Sequence, residues 1–193
     1  MERKFLKTTA NKEITMFQYW VIFLFVCMPV SISAQLVDWE IKTEAYNGIE
    51  YIVKKSEYSY LIANKQNSRF KSLTCEIEFE GETLEQMEDR RYATRLEVYS
   101  VASQIFDFEN IPIGDLDFST FHINCYFDST TKNYVGAYFF FDIEVKDYFT
   151  LEKLNLLEQK LLQAGINTGA TNLLNPEEDY YTLLVGIRLG KDL

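Results

Sequence analysis

From Phe118 onward the chain alternates apolar and polar positions with a period of two. Phe121, Ile123, Cys125 and Phe127 are apolar, while His122, Asn124 and Tyr126 between them are polar or amphipathic, the signature of a half-buried strand. A second run repeats it, with Val135, Ala137, Phe139, Phe141, Ile143 and Val145 on odd positions against Gly136, Tyr138, Phe140, Asp142 and Glu144 on even ones. Asp128 to Asn133 lies between them, holds no apolar residue and predicts a hairpin turn. With both odd faces inward, opposed residues share parity, so Phe127 is expected opposite Val135 and a slip by one is excluded. A helix is expected next: Thr150 as N-cap, Glu152 in the first turn, a stripe of Leu151, Leu154, Leu157, Leu161 and Leu162, and Gly165 as the stop. Such a stripe packs on a sheet or a neighbouring helix.

Upstream, Leu36 to Glu44 with Trp39 reads as a short arm or strand, followed by the turn dipeptide Asn47-Gly48. Ile49 to Val53 and Tyr58 to Ala63 form a further hairpin around Lys54 to Glu57, and Leu73 to Glu80 alternates with an acidic outer face. A helix is expected from Leu84 to Phe106, with Tyr92, Leu96, Tyr99, Ala102 or Ser103, and Phe106 on its inner side. Asn110 to Asp117, with Pro112 and Gly114, is a loop, and Tyr180 to Leu189 is the last strand. The elements predict an α+β fold: a mainly antiparallel sheet with two helices on one face, preceded by an N-terminal β-hairpin region. Residues 35–82 and 83–193 are expected to form one compact domain after a signal at 1–34.

The order helix, strand, strand, helix, strand over residues 84–193, with its tight polar hairpin and closing Tyr181-Thr182-Leu183-Leu184-Val185-Gly186-Ile187-Arg188-Leu189, resembles the C-terminal domain of TonB and its relatives. It is also similar to small exported Bacteroidetes proteins of unknown function. The resemblance implies a sheet backed by helices on one face. It does not carry over energy transduction, which needs a long stiff spacer that a chain with 3 Pro lacks.

Residues 1–34 change the picture of where the chain goes. Arg3, Lys4, Lys7 and Lys12 precede an apolar run from Phe17 to Val30, and Ser31-Ile32-Ser33-Ala34 closes it with small residues, the three parts of a secretory signal. Cleavage after Ala34 or after Ser33, an uncleaved anchor, lipidation at Cys27 and a start at Met16 stand as alternatives in detail. The expected location is exported, periplasmic or at the cell surface. Removing this segment takes four Lys/Arg and two Asp/Glu from totals of 19 and 29, leaving 15 against 27. A surface that acidic repels nucleic acid and anionic membranes, so neither is expected as a partner once the signal is gone. Cys75 and Cys125 then remain as a candidate disulfide pair, with Cys125 on the inferred core face, where a thiol also serves as a small apolar group.

No pattern in the chain names a reaction. The single histidine, His122, has no local nucleophile or carboxylate spaced for a triad, and phosphate loops and metal-spaced histidines are absent from the sequence. The acidic Glu177-Glu178-Asp179, with Asp142 and Glu144, lacks calcium-loop spacing, so no metal or cofactor is expected. The rings are more informative. With 13 Tyr and 15 Phe the chain has more than one inward face needs, and the even face offers His122, Asn124, Tyr126, Tyr138, Phe140 and Tyr180 as candidate ligand or partner residues. Residues 36–80 are expected to cover that face or to extend the sheet; otherwise the face is a binding patch. The leading functional expectation is a non-enzymatic exported interaction or structural module with an envelope partner. A glycan binder using the even-face aromatics, and a hydrolase with His122 as base, are the alternatives.

Overall fold

A computed structural model describes residues 38–69, 83–113, 119–169 and 179–190. The expected signal, the strand at Leu73 to Glu80 with Cys75, and Glu177 and Glu178 lie outside them. Six strands, β1 (Glu40–Tyr46), β2 (Ile49–Lys55), β3 (Ser59–Asn64), β4 (Ser119–Asp128), β5 (Tyr134–Asp142) and β6 (Tyr180–Leu189), form one sheet in the order β1-β2-β3-β5-β4-β6. Every neighbouring pair is antiparallel. Two helices, α1 (Leu84–Ala102) and α2 (Leu151–Ala164), complete an α+β fold.

Asn47 and Gly48 both take positive φ, 51° and 77°, the backbone of the tight two-residue turn whose twist suits a hairpin. At the other side of this ribbon β3 pairs with β5, Ile62 opposite Phe139 and Tyr60 opposite Phe141. The first three strands therefore extend the central sheet instead of folding over its even face. The inward face passes to even positions in β3 and back to odd ones in β2, where Val53 lies opposite Ile62.

On β4, β5 and β6 the odd positions are inward as expected: Phe121, Ile123, Cys125, Phe127, Phe139, Phe141, Tyr181, Val185 and Ile187 are all buried in one core. The parity argument fails at one end of the hairpin. Phe127 lies opposite Tyr134, not Val135, because the register shifts between Tyr126 and Phe127 and leaves Val135 as an extra residue. The bulge turns Tyr134 into the core, where its ring meets Phe127 edge-on at 6.1 Å, and leaves Val135 half-buried. The strand also stops earlier than expected: Ile143–Tyr148 is a 3-10 turn, with Val145 buried.

Both helices begin as the sequence reads and pack differently in part. At α1 a full capping box joins Thr83 and Gln86. Its buried side is Thr94, Val98 and Ala102, and the helix ends at Ala102; Tyr92 is 63 % and Leu96 49 % exposed. The apolar residues of α1 are spread round its circumference, so small side chains at four-residue spacing take the sheet side, Tyr92 faces outward, and Tyr99 lies at the boundary with its ring stacked on Phe108 at 5.9 Å. Thr150 caps α2 and Gly165 ends it with φ 62°. Leu154, Leu157 and Leu161 are fully buried, Leu151 is half-buried, and Leu162 is 50 % exposed; Asn155 and Glu158 take the rest of the inner side.

The two leucines separate these readings of α2. Leu161→Ala should cost about 2–5 kcal/mol in chemical denaturation, as buried leucine truncations do, whereas Leu162→Ala should stay within about 0.5 kcal/mol. Equal losses would mean that α2 presents a different face to the sheet.

Candidate functional site

The even face gathers most of the residues expected there. His122 lies beside Phe140 with rings 5.8 Å apart, Asn124 pairs with Tyr138, and Tyr126 meets Tyr138 at 6.0 Å. Tyr180 stands at the far corner, opposite Asp128. The patch is only partly open: Asn124 is 8 % and Tyr126 5 % exposed, while His122, Tyr138, Phe140 and Tyr180 are half-buried. Burial, with Tyr138 nearby, pushes the Tyr126 hydroxyl up to about 12. The His122 ring hydrogen-bonds Thr120 Oγ1 through Nε2 at 2.8 Å. The Asp142 carboxylate instead accepts from Ser119 Oγ at 2.5 Å and from the Thr120 N–H at 3.4 Å. Nucleophile, base and orienting acid are therefore not assembled around His122 among the described residues.

Cys125 is a fully buried thiol with no disulfide partner among the described residues, and burial raises its pKa. Among the described residues no three His, Cys, Asp or Glu side chains gather as a metal site requires.

A polar cluster that the leucine stripe concealed lies under α2. Past the end of β3, Ala137 loses its neighbouring strand, and Asn67 takes the place: its Nδ2 donates to the Ala137 carbonyl at 2.9 Å and to Glu158 Oε1 at 2.8 Å. Asn64 Nδ2 reaches Glu158 Oε2 at 3.3 Å, and Asn155 Nδ2 donates to the Tyr51 hydroxyl at 2.7 Å. Gly136 makes the arrangement possible, since a Cβ there would stand 2.6 Å from Asn67 Oδ1. Desolvation raises the pKa of Glu158, outweighing the amides of Asn67 and Asn64 and the Ala137 N–H that favour its charge. Tyr134, whose buried hydroxyl has no hydrogen-bond partner among the described residues, is raised by burial first and then by Cys125, Glu158 and Tyr51.

The concave site lies elsewhere, where the helix layer stops short of the sheet edge. A groove of about 210 Å³ is lined by Val53, Ile62 and Phe141 from the sheet and by Tyr60 and Leu151, with Lys42, Glu44, Lys146, Asp147 and Thr150 also in its lining. Tyr60 stacks on Phe141 at 5.8 Å and 10°. Two further hollows are roomier: about 520 Å³ along Glu97, Ser100, Val101 and Ala164 to Asn167, which holds aliphatic side chains but no ring, and about 360 Å³ around Asp38 to Glu40 and Lys55 to Glu57, which holds Trp39 among polar groups. Of the three, the smaller groove combines rings with aliphatic core side chains at its base and carries charged groups on its rim, so it is the better candidate. It draws on β1, β2, β3, β5, the 3-10 turn and α2. No local stretch of sequence announces it; the one hint was the ring of Tyr60 amid alternating aliphatics.

No protein-family model matches this chain, and no curated protein is detectably similar to it. Among solved structures, the crystal structure of a DUF5043 family protein from Bacteroides uniformis ATCC 8492 superposes with a TM-score of 0.44 at 12 % identity, over 79 % of this chain and 92 % of that one.

Glu158 yields a signed pH effect. Its carboxyl holds a proton more tightly folded than unfolded, so its contribution to stability is complete below the ordinary glutamate range and falls as pH rises through the raised pKa. Across that window the stability difference between wild type and Glu158→Gln, measured by urea denaturation, should shift toward wild type as pH falls. Glu158→Leu should cost about 1–3 kcal/mol by orphaning the buried amides. A difference between wild type and Glu158→Gln that is independent of pH would contradict the assignment.

Proposed function

We propose that the protein is a non-enzymatic binding module whose groove beside β1 receives one ring-sized apolar group of a partner. The observation that carries this is the groove itself. Its volume of about 210 Å³ exceeds the roughly 150 Å³ in which an apolar cavity holds benzene. It falls below the range of about 300–1,000 Å³ that encloses a drug-sized ligand. The groove is open to solvent, and its volume sets one ring with a short substituent as the scale of the group it receives. Tyr60 and Phe141 form the outer end of the core's stacked rings, so an entering ring continues an array already in place. Lys42 and Glu44 on one strand, and Lys146 and Asp147 on the turn, offer both signs of charge to the polar remainder of the ligand.

Export through the amino-terminal 34 residues belongs to the same reading, which sets the partner among envelope proteins or glycans. The outer-face glycan reading is supported by the two ring pairs, His122 with Phe140 and Tyr126 with Tyr138. The burial of Asn124 and Tyr126 interrupts that face between its ring pairs, whereas the groove is one continuous hollow.

Titration of the isotope-labelled protein with indole, and separately with a soluble oligosaccharide panel, distinguishes them by NMR. Saturable amide shifts at Val53, Ile62, Phe141 and Leu151 with indole are expected. Shifts confined to Asn124, Tyr138 and Leu184 with a sugar would transfer the function to the outer face. No saturable shift at the groove with indole would sink the groove reading.

A further inference from the structure

Strand β1 is the edge of the sheet, paired through seven residues with β2 and, among the described residues, with no strand on its other side. Its residues are mostly exposed, including Ile41 at 63 %. An edge like this is a template for another strand unless its side chains oppose one.

The side chains of β1 oppose most partners but complement themselves. Register with β2 places Glu40, Lys42 and Glu44 on the helix side, since Lys42 lies opposite Val53, and Ile41, Thr43 and Ala45 on the outer side. Lys42 and Glu44 form an ion pair along the strand, with side chains 48 % and 37 % exposed, and Glu44 raises the pKa of Lys42. Consider a second β1 laid antiparallel, with its two-fold axis through Thr43. Lys42 of each copy then faces Glu44 of the other, Ile41 faces Ala45, and Glu40 faces Tyr46. Shifting the axis to Lys42 or to Glu44 brings like charges together. Parity confines the axis to a residue if both helix layers are to stay on one side of a continuous sheet.

We propose that the occupant of this edge is a second copy of the chain, joined antiparallel about Thr43 into a two-fold dimer with one twelve-stranded sheet. The pairing is isologous, as two-fold contacts are, and either phase of the antiparallel hydrogen-bond ladder satisfies it. Local alternation of charge is what permits it in a chain whose net charge is strongly negative. The proposal does not depend on the groove being occupied, although Lys42 and Glu44 also line that groove.

Sedimentation of the natively processed protein tests it, with circular dichroism to confirm folding of each variant. Wild type should sediment as a dimer at micromolar concentration. Lys42→Glu places like charges opposite each other twice and should weaken self-association about tenfold, and Glu44→Lys should do the same. The double exchange Lys42→Glu with Glu44→Lys restores both facing pairs and should restore the dimer. A monomeric wild type, a dimer indifferent to either single reversal, or a double exchange that stays dissociated would each overturn the proposal. None of those outcomes touches the indole titration, so the two readings fail separately.

Discussion

Phe149 lies against Phe121 with ring centroids 4.2 Å apart and planes 13° from parallel, and the architecture depends on that contact. Phe149 is the residue before the N-cap of α2, and Phe106 follows the end of α1; their centroids are 5.1 Å apart. Phe106 also meets Phe121, and Phe149 meets Phe141 at 4.9 Å, beyond which Tyr60 continues the stack onto β3. One set of rings thus fixes where α1 leaves the sheet, where α2 enters it, and how β3, β4 and β5 lie beneath. Aromatic pairs add to area burial only when their offsets and tilts are held, so the cluster favours a single arrangement of both helices.

The polar cluster under α2 has the opposite character. Every core built on a sheet must account for backbone groups where a strand ends before its neighbour does. Here β3 ends at Asn64, while β5 runs on to Tyr134. Asn67 and Glu158 supply hydrogen bonds that a longer β3 would have supplied, which explains why a glutamate is tolerated among buried leucines and why Gly136 lacks a side chain. The arrangement is costly to leave half-made, because unpaired buried amides lose their hydration without recompense.

Period-two alternation made the strands of this fold legible in the chain, since a strand's two faces meet different media and nothing else competes with that signal. The caps of α2 were legible for a similar reason: Thr150 and Gly165 act on backbone groups within their own turns. The inner face of α1 was legible only at its end, in Ala102 and in Phe106 just past the helix; earlier its apolar residues encircle the helix, and size decided between them: Thr94 and Val98 fit closely where Tyr92 and Leu96 do not. Nor was the bulge at Val135, whose cause lies partly in a distant loop, where the Ile166 carbonyl accepts from the Tyr134 N–H at 2.9 Å. The even-face residues were placed correctly as a group, yet the groove went unseen. It exists only once β3 joins β5, a long-range pairing that neither strand encodes alone.

That pairing also determines that a groove must exist. Six strands at about 4.8 Å spacing make a sheet roughly 24 Å across, while two packed helices at about 10 Å each cover roughly 20 Å. α1 lies against β6 and α2 against β5, with the ring cluster between them, so the shortfall collects toward β1. There the inward positions carry Lys42 and Glu44 instead of leucines, as they must where water reaches them, while Val53 and Ile62, one and two strands further in, are already buried. A hollow with an apolar base and a charged rim is what a sheet wider than its helix layer produces. The same mismatch leaves most of β1 exposed, with no strand on its outer edge among the described residues, so the ligand groove and the self-pairing edge have one geometric origin.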